Sequence, residues 1–103
     1  MSKKTKTHNR LDALFVSKIA QPGKYADGRG LYLLVDKTQA GSLSKRWAFR
    51  YRVNGRERWM GLGPVTRDNG LKEARDQADT HRKERRDHRD PIETRKTERI
   101  ASR

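Results

Sequence analysis

Arg46, Arg50 and Arg52 fall at even-numbered positions of the run R-W-A-F-R-Y-R-V-N-G-R-E-R-W-M-G-L-G (46–63), and Arg56 and Arg58 follow within six residues. A guanidinium presents a rigid fork of donors that pairs with phosphate oxygens or with O6 and N7 of guanine. The five arginines of this run meet one acid, Glu57, so the chemistry on offer is the binding of an anion. Other chemistries find few residues to carry them. His8, His81 and His88 are the only histidines; His81 and His88 lack paired ligand spacing and read as part of a solvated helix face, not a metal site. Asp76 and Asp79 stand among Arg75, Arg82 and Lys83, where ordinary helix ion pairs account for them. In Tyr25–Gly30, Gly28-x-Gly30 lacks the third glycine and the following helix of a phosphate loop, so the stretch reads as a turn. No nucleophile–base constellation can be assembled. The expectation is therefore a chain with no catalytic residue, no cofactor and no metal.

The arginines must be held by a hairpin. Asn54-Gly55 between two alternating runs is a strong signal for a type I′ turn, whose central residues both need positive φ. A two-residue loop sets Val53 opposite Arg56, Tyr51 opposite Arg58, Phe49 opposite Met60 and Trp47 opposite Leu62. Side chains alternate along a strand, so Trp47, Phe49, Met60 and Leu62 share a face that can be buried. Arg56 and Arg58 extend that face beyond the apolar part. The other face carries Arg46, Ala48, Arg50 and Arg52 opposite Gly63, Gly61, Trp59 and Glu57. Leu31–Val35 reads as a third strand that adds Leu31, Leu33 and Val35 to the core and Tyr32 and Leu34 to the arginine face.

Around this sheet, Leu11–Ala20 has Leu11, Leu14, Phe15 and Ile19 at helical spacing, with Asp12 as cap. Gln21-Pro22-Gly23 ends it. Asp36–Lys45 reads as a polar loop. Leu71 to about Arg89 is rich in helix formers, with a thin apolar stripe of Leu71, Ala74 and Ala78, and its far end is expected to project into solvent or fray. Pro91 is expected to stop it. The fold class is α+β: a three-stranded antiparallel sheet packed on a C-terminal helix, with a short N-terminal helix. Residues 1–10 read as a disordered basic arm, 11–92 as one domain and 93–103 as a disordered tail or the start of a linker. A chain of 103 residues with 31% hydrophobic content builds only a small core.

The net charge of +13 argues for nucleic acid or an anionic surface. Met1–Arg10 has four basic residues and no acids, Leu11–Gly70 eleven against five, and Leu71–Arg103 eleven against eight. Unopposed cations therefore concentrate in the middle. The absence of cysteine rules out disulfides and Cys-ligated zinc. No apolar run is long enough for a signal peptide or a membrane span.

The order Tyr25-Ala-Asp-Gly-Arg-Gly-Leu-Tyr-Leu, Lys45-Arg-Trp-Ala-Phe-Arg-Tyr-Arg, Gly55-Arg, Met60-Gly-Leu-Gly, Leu71-Lys-Glu-Ala-Arg75 and Asp90-Pro-Ile resembles the N-terminal arm-type DNA-binding domain of P4-like phage and genomic-island integrases, which are tyrosine recombinases. The resemblance covers roughly Leu11–Ile92. It implies a sheet face that docks in the major groove of arm-type sites on double-stranded DNA, during integration or excision of a mobile element. It also implies a bacterial, cytoplasmic, nucleoid-associated setting and other integrase subunits as partners, with no membrane and no small-molecule substrate. Core-binding and catalytic domains follow this domain in such proteins, so the chain reads as an isolated domain or a truncated product. Relatives place leucines near the helix end and Gly-Ile before Asp-Pro. This chain has Glu84-Arg85 and His88-Arg89 there, and its Arg67–Gly70 segment differs as well.

On this reading Arg46, Arg50 and Arg52, with Tyr32 and Trp59, read bases. Lys45, Arg56, Arg58, Lys37 and Arg29 hold phosphates. Three alternatives stand beside it. One is a soluble sheet face whose arginines stack over Trp59. Another is a small RNA-binding protein using Tyr32 and Trp59 to stack bases. The third is a protein-interaction module using the C-terminal helix.

Overall fold

The computed structural model describes residues 10–101; the arm expected over Met1–Arg10 lies outside them, Arg10 apart. In chain order the elements are α1 (Ala13–Lys18), β1 (Gly23–Gly28), β2 (Leu31–Lys37), β3 (Leu43–Val53), β4 (Arg56–Pro64), α2 (Leu71–Arg86) and α3 (Pro91–Ala101). The four strands form one antiparallel sheet in the order β1-β2-β3-β4. The architecture is α+β as expected, but with four strands in place of three and two helices after the sheet in place of one.

The central hairpin follows from its turn. Asn54 and Gly55 have φ of 51° and 79°, the two positive values a type I′ turn demands. From there the register runs Val53–Arg56, Arg52–Glu57, Tyr51–Arg58, Arg50–Trp59, Phe49–Met60 and Ala48–Gly61. It then slips, because Leu62 is an extra residue and Trp47 pairs with Gly63. The bulge corrects the expected Trp47–Leu62 and Arg46–Gly63 pairs while leaving Leu62 in the core.

The added strand is β1. The stretch Tyr25–Gly30, expected as a turn, is strand up to Gly28, and the turn is confined to Gly28-Arg29-Gly30. Gly30 is obligatory there. Its φ is 92°, its carbonyl accepts from Arg50 N, and a Cβ would come within 2.7 Å of Arg50 O. Asp27 is the bulged residue of the β1–β2 pair, and it is 2% exposed. It accepts from Leu11 N at 2.9 Å and from Arg75 Nε and Nη2 at 2.9 Å, while Arg75 also donates to Leu11 O. This pair, buried on the Asp27 side, ties the incoming chain, β1 and α2 together. Burial alone would push the Asp27 carboxyl up; the Arg75 and Leu11 hydrogen bonds outweigh it and hold it below the ordinary carboxylate value.

The core lies between the sheet and the helices. Leu31, Leu33, Val35, Trp47, Phe49, Tyr51, Met60 and Leu62 meet Val16 of α1 and Ala74 and Ala78 of α2. The two alanines are fully buried, so α2 lies close to the strands. Trp47 is also fully buried and donates its indole N–H to Asn69 O at 2.8 Å. α1 is shorter than the expected Leu11–Ala20. Its Asp12 cap is as expected, accepting from Phe15 N at 2.8 Å, but Val16 is the buried side chain and Leu14 is exposed. The expected loop Asp36–Lys45 contracts to residues 38–42 because β2 and β3 both run further than expected.

The end of α2 does not project freely. His81 packs against Phe49, with centroids 5.9 Å apart, and Arg85 lies over the Tyr51 ring. His81 is thus not on the solvated helix face expected for it; its Nδ1 lies 2.7 Å from Glu84 Oε1. Pro91 is a start, not a stop. It occupies the first position of α3, where its missing N–H costs nothing, and Asp90 caps the helix by accepting from Ile92 N at 3.1 Å. Residues 93–101, expected as a disordered tail or the start of a linker, are helical. Among the described residues no helix is long and apolar enough to cross a membrane.

Candidate nucleic-acid interface

All three helices contribute to or border the packed side of the sheet, and the opposite face is bare. Lys24 and Ala26 of β1, Tyr32, Leu34 and Asp36 of β2, Arg46, Ala48, Arg50 and Arg52 of β3, and Glu57, Trp59 and Gly61 of β4 lie on it by strand alternation and register. The expected base-reading set Arg46, Arg50, Arg52, Tyr32 and Trp59 is therefore gathered on one surface.

Small residues shape the middle of this face. Ala48 pairs with Gly61 on one side and Tyr32 on the other. The Trp59 ring reaches across β3 to Tyr32, edge to face with centroids 4.9 Å apart, and Ala48 is buried beneath. Lys24 Nζ sits 4.8 Å from the centre of the Trp59 ring. A cation does stack on the indole, but it comes from β1 and is not one of the arginines. Lys24 was missed in the sequence because its strand was missed; alternation with Ala26 is the only signal for it.

Glu57 organises the arginine side. Its carboxylate accepts from Arg50 Nε at 2.5 Å and from Trp59 Nε1 at 2.9 Å. Those bonds, Trp59 first and Arg50 second, hold Glu57 below the ordinary carboxylate value. Arg50 Nη1 also donates to Tyr32 Oη at 3.3 Å. The Arg50 guanidinium is thus aimed by two neighbours, Glu57 and Tyr32. Arg46 makes an exposed pair with Asp36 at 3.3 Å, which competes weakly with any better anion. Arg52 is exposed at the end of the strand, next to the turn.

The five expected phosphate contacts divide. Arg29, Lys37 and Arg56 are exposed. Lys45 and Arg58 are instead engaged within the fold. Lys45 Nζ donates to Val16 O at 2.8 Å and Ser17 O at 3.1 Å, neutralising the open carbonyls of α1. Arg58 Nη1 donates to Asp90 Oδ2 at 2.7 Å and Glu93 Oε2 at 3.0 Å. Tyr51 Oη completes this cluster by donating to Asp90 Oδ1. Burial and the Asp90 bond push the Tyr51 hydroxyl up to about 12. Burial would raise Asp90, but the Tyr51 and Arg58 bonds prevail and keep it below its ordinary value. Arg58 faces the packed side, where it pins α3.

Taken together, the bare face offers cations at alternate positions of one strand around a braced aromatic pair, a surface suited to a polyanion with a regular repeat. A family model described as Arm DNA-binding domain matches residues 5–98. No curated protein matches the chain.

Proposed function

The chain belongs to the arm DNA-binding domain family, and from that premise we propose that it anchors a tyrosine-recombinase integrase on arm-type sites. Its bare sheet face would enter the major groove during integration or excision of a mobile element. One observation carries the reading: Arg46, Arg50 and Arg52 stand on the face that no helix covers. A β-ribbon fits the major groove, where guanine O6 and N7 accept a guanidinium fork. Alternate residues of a strand lie roughly 7 Å apart, about two base steps of duplex. Arg50 and Arg52 thus address bases two steps apart, and Arg46 reaches further along the groove. Arg29, Lys37 and Arg56 hold phosphates at the rim.

The bracing of Trp59 counts against an RNA single-strand reader. Its ring is flanked by Lys24 and Tyr32 and its N–H is taken by Glu57, so no open platform is left for a base. The test is an NMR titration with duplexes from the attachment region, with single strands as competitors. Duplex should shift the amides of Tyr32, Arg46–Arg52 and the Trp59 indole, and single strands should displace it poorly. Preferential binding of single strands, or a duplex that leaves the outer face unshifted, would sink the proposal.

A further inference from the structure

On the other side of the sheet, at the end where the β1–β2 turn and the β3–β4 hairpin lie, a cleft of about 540 Å³ opens beneath α2. Its walls are Arg29, Arg52, Arg82, Lys83, Arg85 and Arg86, and Asp79 is the one acid among its lining residues. We propose that this cleft is a second phosphate-binding site, taking backbone oxygens of the same duplex that lies on the sheet face.

Two of the six cations are fixed by the protein. Arg82 donates to Arg29 O at 2.9 Å and pairs with Asp79. Arg85 donates to Arg89 O and lies 5.8 Å over Tyr51. The other four, Arg29, Arg52, Lys83 and Arg86, are exposed. Six like charges converging on one cleft with a single paired acid repel one another, and an anion relieves that. The floor decides which part of a nucleic acid fits. Phe49 and Tyr51 stack on each other and are 2% and 7% exposed, so no ring face is open to a base. The site takes phosphates.

Continuity identifies the source of those phosphates. Arg52 lines the cleft and also stands on the outer face two residues from Arg50. Arg52 thus links the base-reading strand to the cleft around the end of the sheet. A backbone strand leaving the outer face past this end meets Arg52 and Arg29, then Lys83 and Arg86. The inference rests on the reading that the chain binds duplex DNA.

The test pairs the double variant Lys83→Gln/Arg86→Gln with an NMR titration of the chain by a 20-base-pair duplex from the attachment region. Both side chains are exposed, so the variant should melt with the wild type. Two lost phosphate contacts should make the log–log salt slope shallower by about 2. Cognate and scrambled duplexes should weaken by the same factor, and the amides of Arg29 and residues 82–86 should shift with those of the outer face. A wild-type slope in the variant, with only the outer face shifting, overturns the cleft and leaves the sheet-face reading intact. Shifts confined to the cleft, with a shallower slope in the variant, overturn the sheet-face reading and with it the claim that one duplex spans both surfaces. If polyglutamate moves the cleft amides and duplex does not, the cleft takes an acidic peptide and the inference fails.

Discussion

At the scale of single residues, Arg50 differs most from its neighbours. Glu57 and Tyr32 aim its guanidinium, whereas Arg56 stands exposed beside the turn. Arg50→Ala should weaken the cognate duplex by roughly ten- to a hundredfold and relax preference at one or two base pairs. Arg56→Ala should weaken cognate and scrambled duplexes alike, with a slope smaller by about one. Equal losses on both duplexes for Arg50→Ala would reduce it to a backbone contact. The tryptophans separate packing from surface in the same way. Trp47→Ala removes a fully buried indole and its bond to Asn69, and should cost about 3–5 kcal/mol in denaturant unfolding. Trp59→Ala, on the half-buried outer face, should cost much less. A reversal would mean the two faces are exchanged, since a one-residue slip turns every side chain over. The outer arginines could be read from the sequence because alternation and a two-residue turn determine their face. Lys45 and Arg58 could not, because the groups that claim them lie 28 to 35 residues away in the chain.

At the scale of elements, β2, β3 and β4 were legible and β1 and α3 were not. The three legible strands alternate large apolar and polar residues around Asn54-Gly55. β1 reads G-K-Y-A-D-G, with one large apolar residue and a glycine at each end, and as an edge strand it holds by pairing with β2. Pro91 stands equally well after one helix or at the head of the next. What decides is Asp90, whose partners Tyr51 and Arg58 are 39 and 32 residues back. This makes the docking of α3 acid-sensitive. The folded pKa of Asp90 is below its unfolded value of about 3.9. Its contribution is therefore full above that value and lost as pH falls through the folded pKa. Tyr51 acts at the other end: raised to about 12, it contributes fully below about 10 and loses that contribution as pH rises towards 12. Asp90→Ala should cost about 1–2 kcal/mol, as for a lost helix cap, with faster amide exchange over residues 92–100 while β2 and β3 stay protected. Uniform exchange across the chain would show that α3 does not undock as a unit. Asp27→Ala should be more severe, about 3 kcal/mol, because Arg75 and the Leu11 N–H lose their buried partner.

At the scale of the whole molecule, folding sorts a net charge of +13. In the sequence the cations of α2 look balanced by the acids between them. In the fold Asp79 is held by Arg82 and Glu84 by His81, while beyond the helix Asp90 and Glu93 are drawn to Arg58. What stays exposed on the outer face and its rim is Lys24, Arg29, Lys37, Arg46, Arg52 and Arg56, with Arg50 held among them. Binding DNA through such a surface releases the counterions condensed on the phosphates, so affinity must fall with salt in proportion to the phosphates met. If Arg29, Lys37 and Arg56 at the rim and Lys83 and Arg86 in the cleft each neutralise one phosphate, the log–log slope is about −4.5. Between 50 and 200 mM salt a slope of about −4.5 weakens binding roughly five-hundredfold. Fluorescence anisotropy with a labelled attachment-region duplex at four salt concentrations measures this directly. A scrambled duplex should give a comparable slope at lower affinity, because backbone contacts carry no sequence information. A slope near zero would mean that the exposed cations meet no phosphates, and DNA binding through this face would have to be abandoned.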